Sequence, residues 1–207
     1  MNHYNTLYLF PTPLWRANIK EELAKNNITI EDVAKECLDI KKKDKGRIVT
    51  NRGNNSYQSN DLDFSSENKK LKLYKLMQTV DQLVQNIYKN IWQGDIFLDN
   101  AWLNINRNDA FNISHIHENS ILSGCVYLKA SSNSGSLGID RDYNEQFIYS
   151  NIGEVRKDNP QPHITATRMY IAPEEGSVIV FPSHIPHQVE PNESDEDRIS
   201  IAFNYVK

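Results

Sequence analysis

Three short stretches carry residues that could do chemistry together: His115-Ile116-His117, His184-Ile185-Pro186-His187, and Arg198-Ile199-Ser200. Imidazoles ligate divalent metals. A guanidinium presents a planar fork that grips a carboxylate through two parallel hydrogen bonds, and a neighbouring hydroxyl can add a third. The order of these residues suits one metal ion with a carboxylate-binding group behind it. On a strand, residues two apart point to the same side, so His115 and His117 can aim at one ion while Ile116 packs behind them. His187 opens a strand after a turn of Ser183 to Pro186, where a side chain can reach the mouth of a sandwich. His184 lies on that turn and reads as solvent-facing. His3 and His163 read as ordinary polar residues. Arg198 has a blander reading, a surface ion pair with the acidic run Glu193 to Asp197. Against it, Ile199, Ile201 and Phe203 alternate with Arg198, Ser200 and Ala202, so one face of the strand is apolar and the other is free to line a pocket.

The elements that must position these groups differ between the two halves of the chain. Residues 5 to 19 read as a short strand broken by Pro11 and Pro13, which belongs at a sheet edge. Thr29 opens a capping box in which Asp32 stands for the usual Glu or Gln, and Val33, Cys37 and Ile40 carry a helix to about Lys43. Residues 44 to 65 have loop composition. From Glu67 to Trp92, the residues Leu73, Leu76, Val80, Leu83, Val84, Ile87 and Ile91 keep the spacing of one apolar helix face. After Gly94 the period switches. Strands are expected over 96–106, 121–129, 164–171, 177–181 and 198–206, with turns over 131–136 and 157–162. Helices first and short strands after predict an α+β fold whose strands close into a jelly roll. If the His187 and Arg198 strands are antiparallel neighbours in it, Arg198 can lie deeper in the same cavity.

With 207 residues, the chain fits one domain, 1–207. Residues 1–94 are mainly a helical support with an edge strand and a polar loop, and 95–207 form the jelly-roll core. A net charge of -4 and a pI near 5.9 argue against bulk attraction to nucleic acid or anionic membranes. No apolar run has the length of a membrane span, and the first residues lack the pattern of a signal peptide. Cys37 and Cys125 read as reduced structural thiols, which suits a cytoplasmic protein with a ferrous cofactor.

The segments 115–128, 176–192 and 198–204, with Asn51-Arg52-Gly53, Tyr57-Gln58-Ser59 and Phe10-Pro-Thr-Pro13 nearer the front, resemble a family of 2-oxoglutarate- and iron(II)-dependent oxygenases. More remotely they resemble the prolyl hydroxylase-like branch of that superfamily. The resemblance implies a double-stranded β-helix. It implies His115 and His187 as iron ligands, Arg198 as the clamp on the far carboxylate of 2-oxoglutarate, Tyr127 as a further donor to that carboxylate, and Asn104 as a weaker candidate. It also implies Fe(II), 2-oxoglutarate and O2 as the reacting set. It implies that 2-oxoglutarate is decarboxylated to succinate while a C–H bond of an unidentified substrate is hydroxylated, and the prolyl hydroxylase likeness suggests a peptide or protein residue as that substrate. The superfamily usually places Asp or Glu two residues after the first ligand. Here that residue is His117, as in the nearest family, with Glu118 as the rival ligand. A cupin-type enzyme independent of 2-oxoglutarate is the alternative enzyme, but its usual glutamate would fall at Ile121 or Leu122. A non-catalytic jelly-roll module is the alternative outside enzymes. The loop 44–65 and the segment 141–160, with Arg141, Tyr143, Tyr149 and Arg156, read equally as a substrate mouth or as solvated surface.

Overall fold

The structure, a computed structural model, describes residues 8–47, 55–65, 68–151, 153–154, 157–158 and 161–207, with the side chains of 148–150 left aside. His3, Asn51 to Gly53, Glu67, Arg156 and the Tyr149 side chain therefore lie outside the described residues.

The chain runs β1 (Trp15–Asn18), α1 (Lys20–Ala24), α2 (Ile30–Lys43), β2 (Ser56–Gln58), α3 (Lys72–Lys89) and β3 (Phe97–Asn106). It continues with β4 (Asn112–His115), β5 (Leu122–Lys129), β6 (Leu137–Asp140), α4 (Tyr143–Asn151) and α5 (Pro162–Thr165). β7 (Arg168–Ile171), β8 (Ser177–Pro182), β9 (His187–Val189) and β10 (Arg198–Val206) complete it. A six-stranded sheet in the order β1-β8-β5-β10-β3-β2 faces a four-stranded sheet in the order β4-β9-β6-β7, with antiparallel pairing throughout. This is the α+β, double-stranded β-helix architecture expected from the sequence.

The expected helix caps form as read. Thr29 accepts from the Asp32 amide at 3.1 Å while the Asp32 carboxylate takes the Thr29 amide, a complete capping box. Glu36 of α2 then accepts from the Lys72 and Leu73 amides and so caps the start of α3 from a neighbouring helix. This sets the beginning of α3 at Lys72, later than the periodicity suggests. Ile91, assigned to the apolar stripe, lies past the helix and is half exposed.

Helices α1, α2 and α3 cover the outer face of the six-stranded sheet. The main core joins Leu23, Val33, Leu76 and Val80 to Leu103, Ile105, Ile201 and Phe203. Strands β3 and β10 are two-faced. Ala101, Leu103 and Ile105, with Ile199, Ile201, Phe203 and Tyr205, point into this core, and their alternate residues point between the sheets. A one-residue slip would drive Arg198 among the helices, so burial fixes the register. A smaller cluster of Tyr127, Leu137, Ile179, Phe181 and Ile185 fills one end of the space between the sheets.

Several expectations need correction. Part of the 44–65 loop is strand β2, which adds to the free edge of β3, with Gln58 opposite Asn104. The 164–171 run is split, because Pro162 starts a helical turn that ends before β7. β6 and α4 were not anticipated, β6 being only four residues long. β9 and β10 are not neighbours; they lie in opposite sheets and face each other across the interior. Among the described residues no helix is long and apolar enough to cross a membrane.

Both cysteines are free. Burial pushes the Cys37 thiol, between α2 and the core, up to about 12. In the unfolded chain a thiol ionises near about 8.5, so between those values only the unfolded state has lost the proton. Stability is therefore full below pH 8.5 and falls as pH rises, with this group contributing up to about 1.4 kcal/mol per pH unit. Urea denaturation from pH 8 to 10 should show a shallower decline for Cys37→Ala than for the parent chain, on top of a constant loss from the smaller side chain.

Candidate metal centre

His115 ends β4 and pairs in register with His187 at the start of β9. His117 is not on the same strand, contrary to the reading that put both histidines of the pair on one strand face. It lies in the following loop, held by its amide donating to Ser183 O at 3.0 Å. Ile116 does not pack behind the pair; it is 43% exposed. The strand ends between the two histidines, and both rings face that of His187. Ring centroids are 5.2 Å apart for His115 and His117, 4.4 Å for His115 and His187, and 4.9 Å for His117 and His187. One nitrogen from each ring lies within 4.8 Å of the other two, from which small ring rotations reach metal–nitrogen bonds of about 2 Å. The three histidines are placed to bind a metal.

The other ring nitrogens are spoken for. Nδ1 of His115 lies 2.8 Å from Ile113 O, and Nδ1 of His187 lies 2.9 Å from Ile185 O. Nδ1 of His117 bonds Asn204 Oδ1, with Ser123 Oγ 3.1 Å away. A carbonyl oxygen accepts only, so each Nδ1 carries the proton and each Nε2 lone pair is free for a cation. Ser123 also donates to Asn204 Oδ1 at 2.8 Å and bonds Ser183 Oγ at 2.7 Å, and Asn204 Nδ2 donates to Asn100 Oδ1 at 2.9 Å. Burial, with His115 alongside, pushes His187 down to about 3, and burial likewise lowers His117. Neutral imidazoles are the ligating form.

Arg198 enters the same cavity from the opposite sheet. It is 2% exposed, so the surface-pair reading fails. The acidic run pairs elsewhere, Glu196 with Lys129 and Asp197 with Arg107. Nη1 of Arg198 donates to Ser134 O and to Gly135 O, the latter at 3.0 Å, and Nη2 is buried with no partner. Gly135 has φ +82 and sits where a Cβ would be 2.8 Å from Arg198 Nη1. An unpaired guanidinium nitrogen inside the protein is costly; a bound carboxylate would satisfy it. Ser200, Tyr127 and Asn104 line the same cavity of about 260 Å³, with Ser200 in register with both Asn104 and Tyr127. Burial raises the Tyr127 hydroxyl pKa well above its ordinary value, so it stays a donor.

The other candidates fall away from this centre. Glu118 is exposed and His184 faces solvent. His163 bonds Tyr8. Of the 141–160 segment, no described residue lines the cavity, and Arg141 is tied to Ala166 O and Ile164 O. The 44–65 loop does reach it, through Arg47 and Gln58. Asn204 and Ser123 were not singled out from the sequence. The signal for Asn204 was present, since it continues the Arg198, Ser200, Ala202 alternation.

A family model described as "Putative 2OG-Fe(II) oxygenase" matches residues 100–204, a span that holds all three histidines and Arg198. The chain belongs to this family. It is accordingly a 2-oxoglutarate- and iron(II)-dependent oxygenase, which displaces the cupin and non-catalytic readings. No curated protein sequence matches it. Among solved structures, a prolyl-4-hydroxylase from Pseudomonas putida superposes with TM-score 0.62 at 16% identity, covering 95% of this chain and 94% of that one. HygX from Streptomyces hygroscopicus, crystallised with nickel, 2-oxoglutarate and hygromycin B, gives 0.61 at 11%, covering 95% and 83%. A Trichoplax adhaerens prolyl hydroxylase in complex with a hypoxia inducible factor peptide gives 0.62 at 14%, covering 93% and 83%. At these identities the likeness is one of fold. The family's Fe(II), 2-oxoglutarate and O2 fit the residues present: three convergent imidazoles and one buried guanidinium with an unpartnered Nη2.

Replacing Asn204 with Ala should free the His117 ring and weaken divalent-metal binding about 10- to 100-fold. Anaerobic calorimetric titration of both proteins measures it, and an unchanged affinity would show that the Asn204 bond does not orient the ligand.

Proposed function

We propose that His115, His117 and His187 hold iron(II), and that Arg198, with Ser200, Tyr127 and Asn104, binds the far carboxylate of 2-oxoglutarate. The observation that carries this is the buried, unpartnered Nη2 of Arg198 in the cavity the three histidines close. When bound, iron(II) supplies three open coordination positions beside the histidines for 2-oxoglutarate and O2.

The protein's own residues do the rest. Ser134 O and Gly135 O aim the guanidinium, leaving one side free for a carboxylate oxygen. Ser200 and Tyr127 can donate to the same group, and Asn104 can add an amide N–H. Phe181 packs at 4.7 Å from the His187 ring, and with Leu137 and Val189 it keeps that flank of the cavity apolar and water-poor. Three neutral imidazoles bring no negative charge, so the cosubstrate's carboxylate at the metal is the first anion the cation meets. Metal and cosubstrate should therefore strengthen each other's binding.

The substrate reading is a peptide or protein residue, supported by a cavity open between the edges of two sheets. Residues 1–207 act as one oxygenase domain, supported by β1 and β2 joining the same sheet as the later strands. Two free cysteines support a cytoplasmic location.

Anaerobic addition of iron(II) and then 2-oxoglutarate should develop a visible charge-transfer band, and air should then release succinate. Arg198→Met should raise the 2-oxoglutarate Kd by about tenfold or more, since one charge-assisted bond is worth roughly 1.5–3 kcal/mol. A folded parent protein with neither band nor succinate would overturn the assignment.

A further inference from the structure

One wall of the cavity is left unused by these roles. Gln58 on β2, Asn106 on β3 and Asn112 on β4 all line it. Asn106 is 3% exposed and Gln58 9%. Among the described residues no hydrogen bond uses the side-chain amide of any of the three. Asn112 is half-buried, and with none of the three amides bonded within the protein, all three are free to meet a molecule in the cavity. Their placement follows from topology. β2 and β4 are the edge strands of the two sheets, and β3 runs directly into β4, so these edges flank one entrance. Asn106 and Asn112 sit at either end of that short connection, and Gln58 is next to β3 on the facing edge. Gln58 and Asn112 lie on these edges, and Asn106 lies deeper, in register with Arg198.

The geometry points to a substrate subsite for an uncharged amide, formed by Gln58, Asn106 and Asn112. This rests on the oxygenase reading of the site. A carboxamide both donates and accepts, so it pairs with a group that does both, and an amide returns both bonds at once. Other chemistries fit less well. No carboxylate lines the cavity among the described residues, so a cationic substrate has no counter-charge. Arg47, at the rim, is bonded to Ser59 O and Asp61 at 2.7 Å each, and Arg198 serves the cosubstrate, so neither arginine stands ready for a phosphate. The Trp102 ring carries the Arg47 guanidinium at 5.6 Å, so it is not the bare platform a sugar ring stacks on.

The test uses the full chain loaded with nickel and 2-oxoglutarate, a state without turnover, and calorimetry with three probes. These are N-acetylated, C-amidated hexapeptides free of charged residues, the same peptides with a lysine, and neutral oligosaccharides. The neutral peptides should bind tightest. Gln58→Leu and Asn112→Leu should each raise their Kd about tenfold. Gln58→Glu, which swaps an amide for an anion of the same shape, should reverse the preference towards the lysine peptides, an effect that general destabilisation does not produce. Neutral peptides with and without Asn or Gln separate a side-chain amide from a peptide bond as the bound group. Tighter binding of lysine peptides or oligosaccharides by the parent protein overturns the subsite, as does a preference that Gln58→Glu leaves unmoved. With iron in place, neutral-peptide binding without succinate release sinks the oxygenase reading alone, whereas succinate release stimulated only by cations or sugars sinks the subsite alone.

Discussion

Every other feature of this site depends on where three protons sit. Each imidazole has its Nδ1–H directed at an oxygen: Ile113 O, Ile185 O and Asn204 Oδ1. Two of these acceptors are backbone carbonyls two residues upstream of the histidine, so the local bend of the chain both aims the ring and selects its tautomer. The third is a side chain, because His117 lies off the strand and has no such carbonyl in place. Asn204 substitutes for it and is itself oriented by Asn100 and by Ser123. A flipped tautomer would present an N–H to the cation.

Asn204 belongs to β10, and through it the metal centre is tied to the strand that also carries Arg198 and Ser200. One face of β10 is Ile199, Ile201, Phe203 and Tyr205, buried beneath the helices. Burying each of those side chains contributes roughly 1.5–3 kcal/mol, so the strand cannot shift register without large loss. The opposite face is then rigidly spaced: the amide that bonds His117 at one end and a buried guanidinium with a free nitrogen six residues along, about 20 Å of strand at most. The main core thus sets a fixed distance within the active cavity, although none of its side chains enters it.

The period-two alternation of β10 was legible in the sequence because both of its faces are chemically distinct. For the same reason the Thr29 capping box and the apolar face of α3 could be read directly. What was not legible is long-range placement. Nothing in the local sequence told whether β9 and β10 pair side by side or face each other across the interior, since both arrangements place His187 and Arg198 near one space. β2 was hidden because its three residues, Ser56 to Gln58, are polar and pair with residues far along the chain, Asn106 back to Asn104. His117 was read as a strand residue because the spacing of two fits a strand, but the strand ends at His115 and His117 is held instead by its amide bond to Ser183 O.

The absence of a carboxylate from the three ligands has a consequence for the whole cavity. A two-histidine, one-carboxylate site neutralises half of the charge of iron(II) before any cosubstrate arrives. Here the described lining offers no anion at all, and it includes a buried arginine with one nitrogen unpaired. Two uncompensated positive regions, the metal and the guanidinium, would then stand at the two ends of one small, poorly hydrated space. Each alone is unfavourable there, since burial already works against the charge on Arg198. A dicarboxylate is the ligand that relieves both at once, because its two anionic ends can meet the two cationic ends. With His117 as the third ligand in place of a carboxylate, the protein would lean harder on its cosubstrate for charge balance, and discrimination would shift towards molecules with a negative group at each end. That same excess of positive potential bears on whatever enters past Gln58 and Asn112: a cation is repelled, a second anion competes with the cosubstrate, and a neutral dipole is left as the guest that disturbs neither.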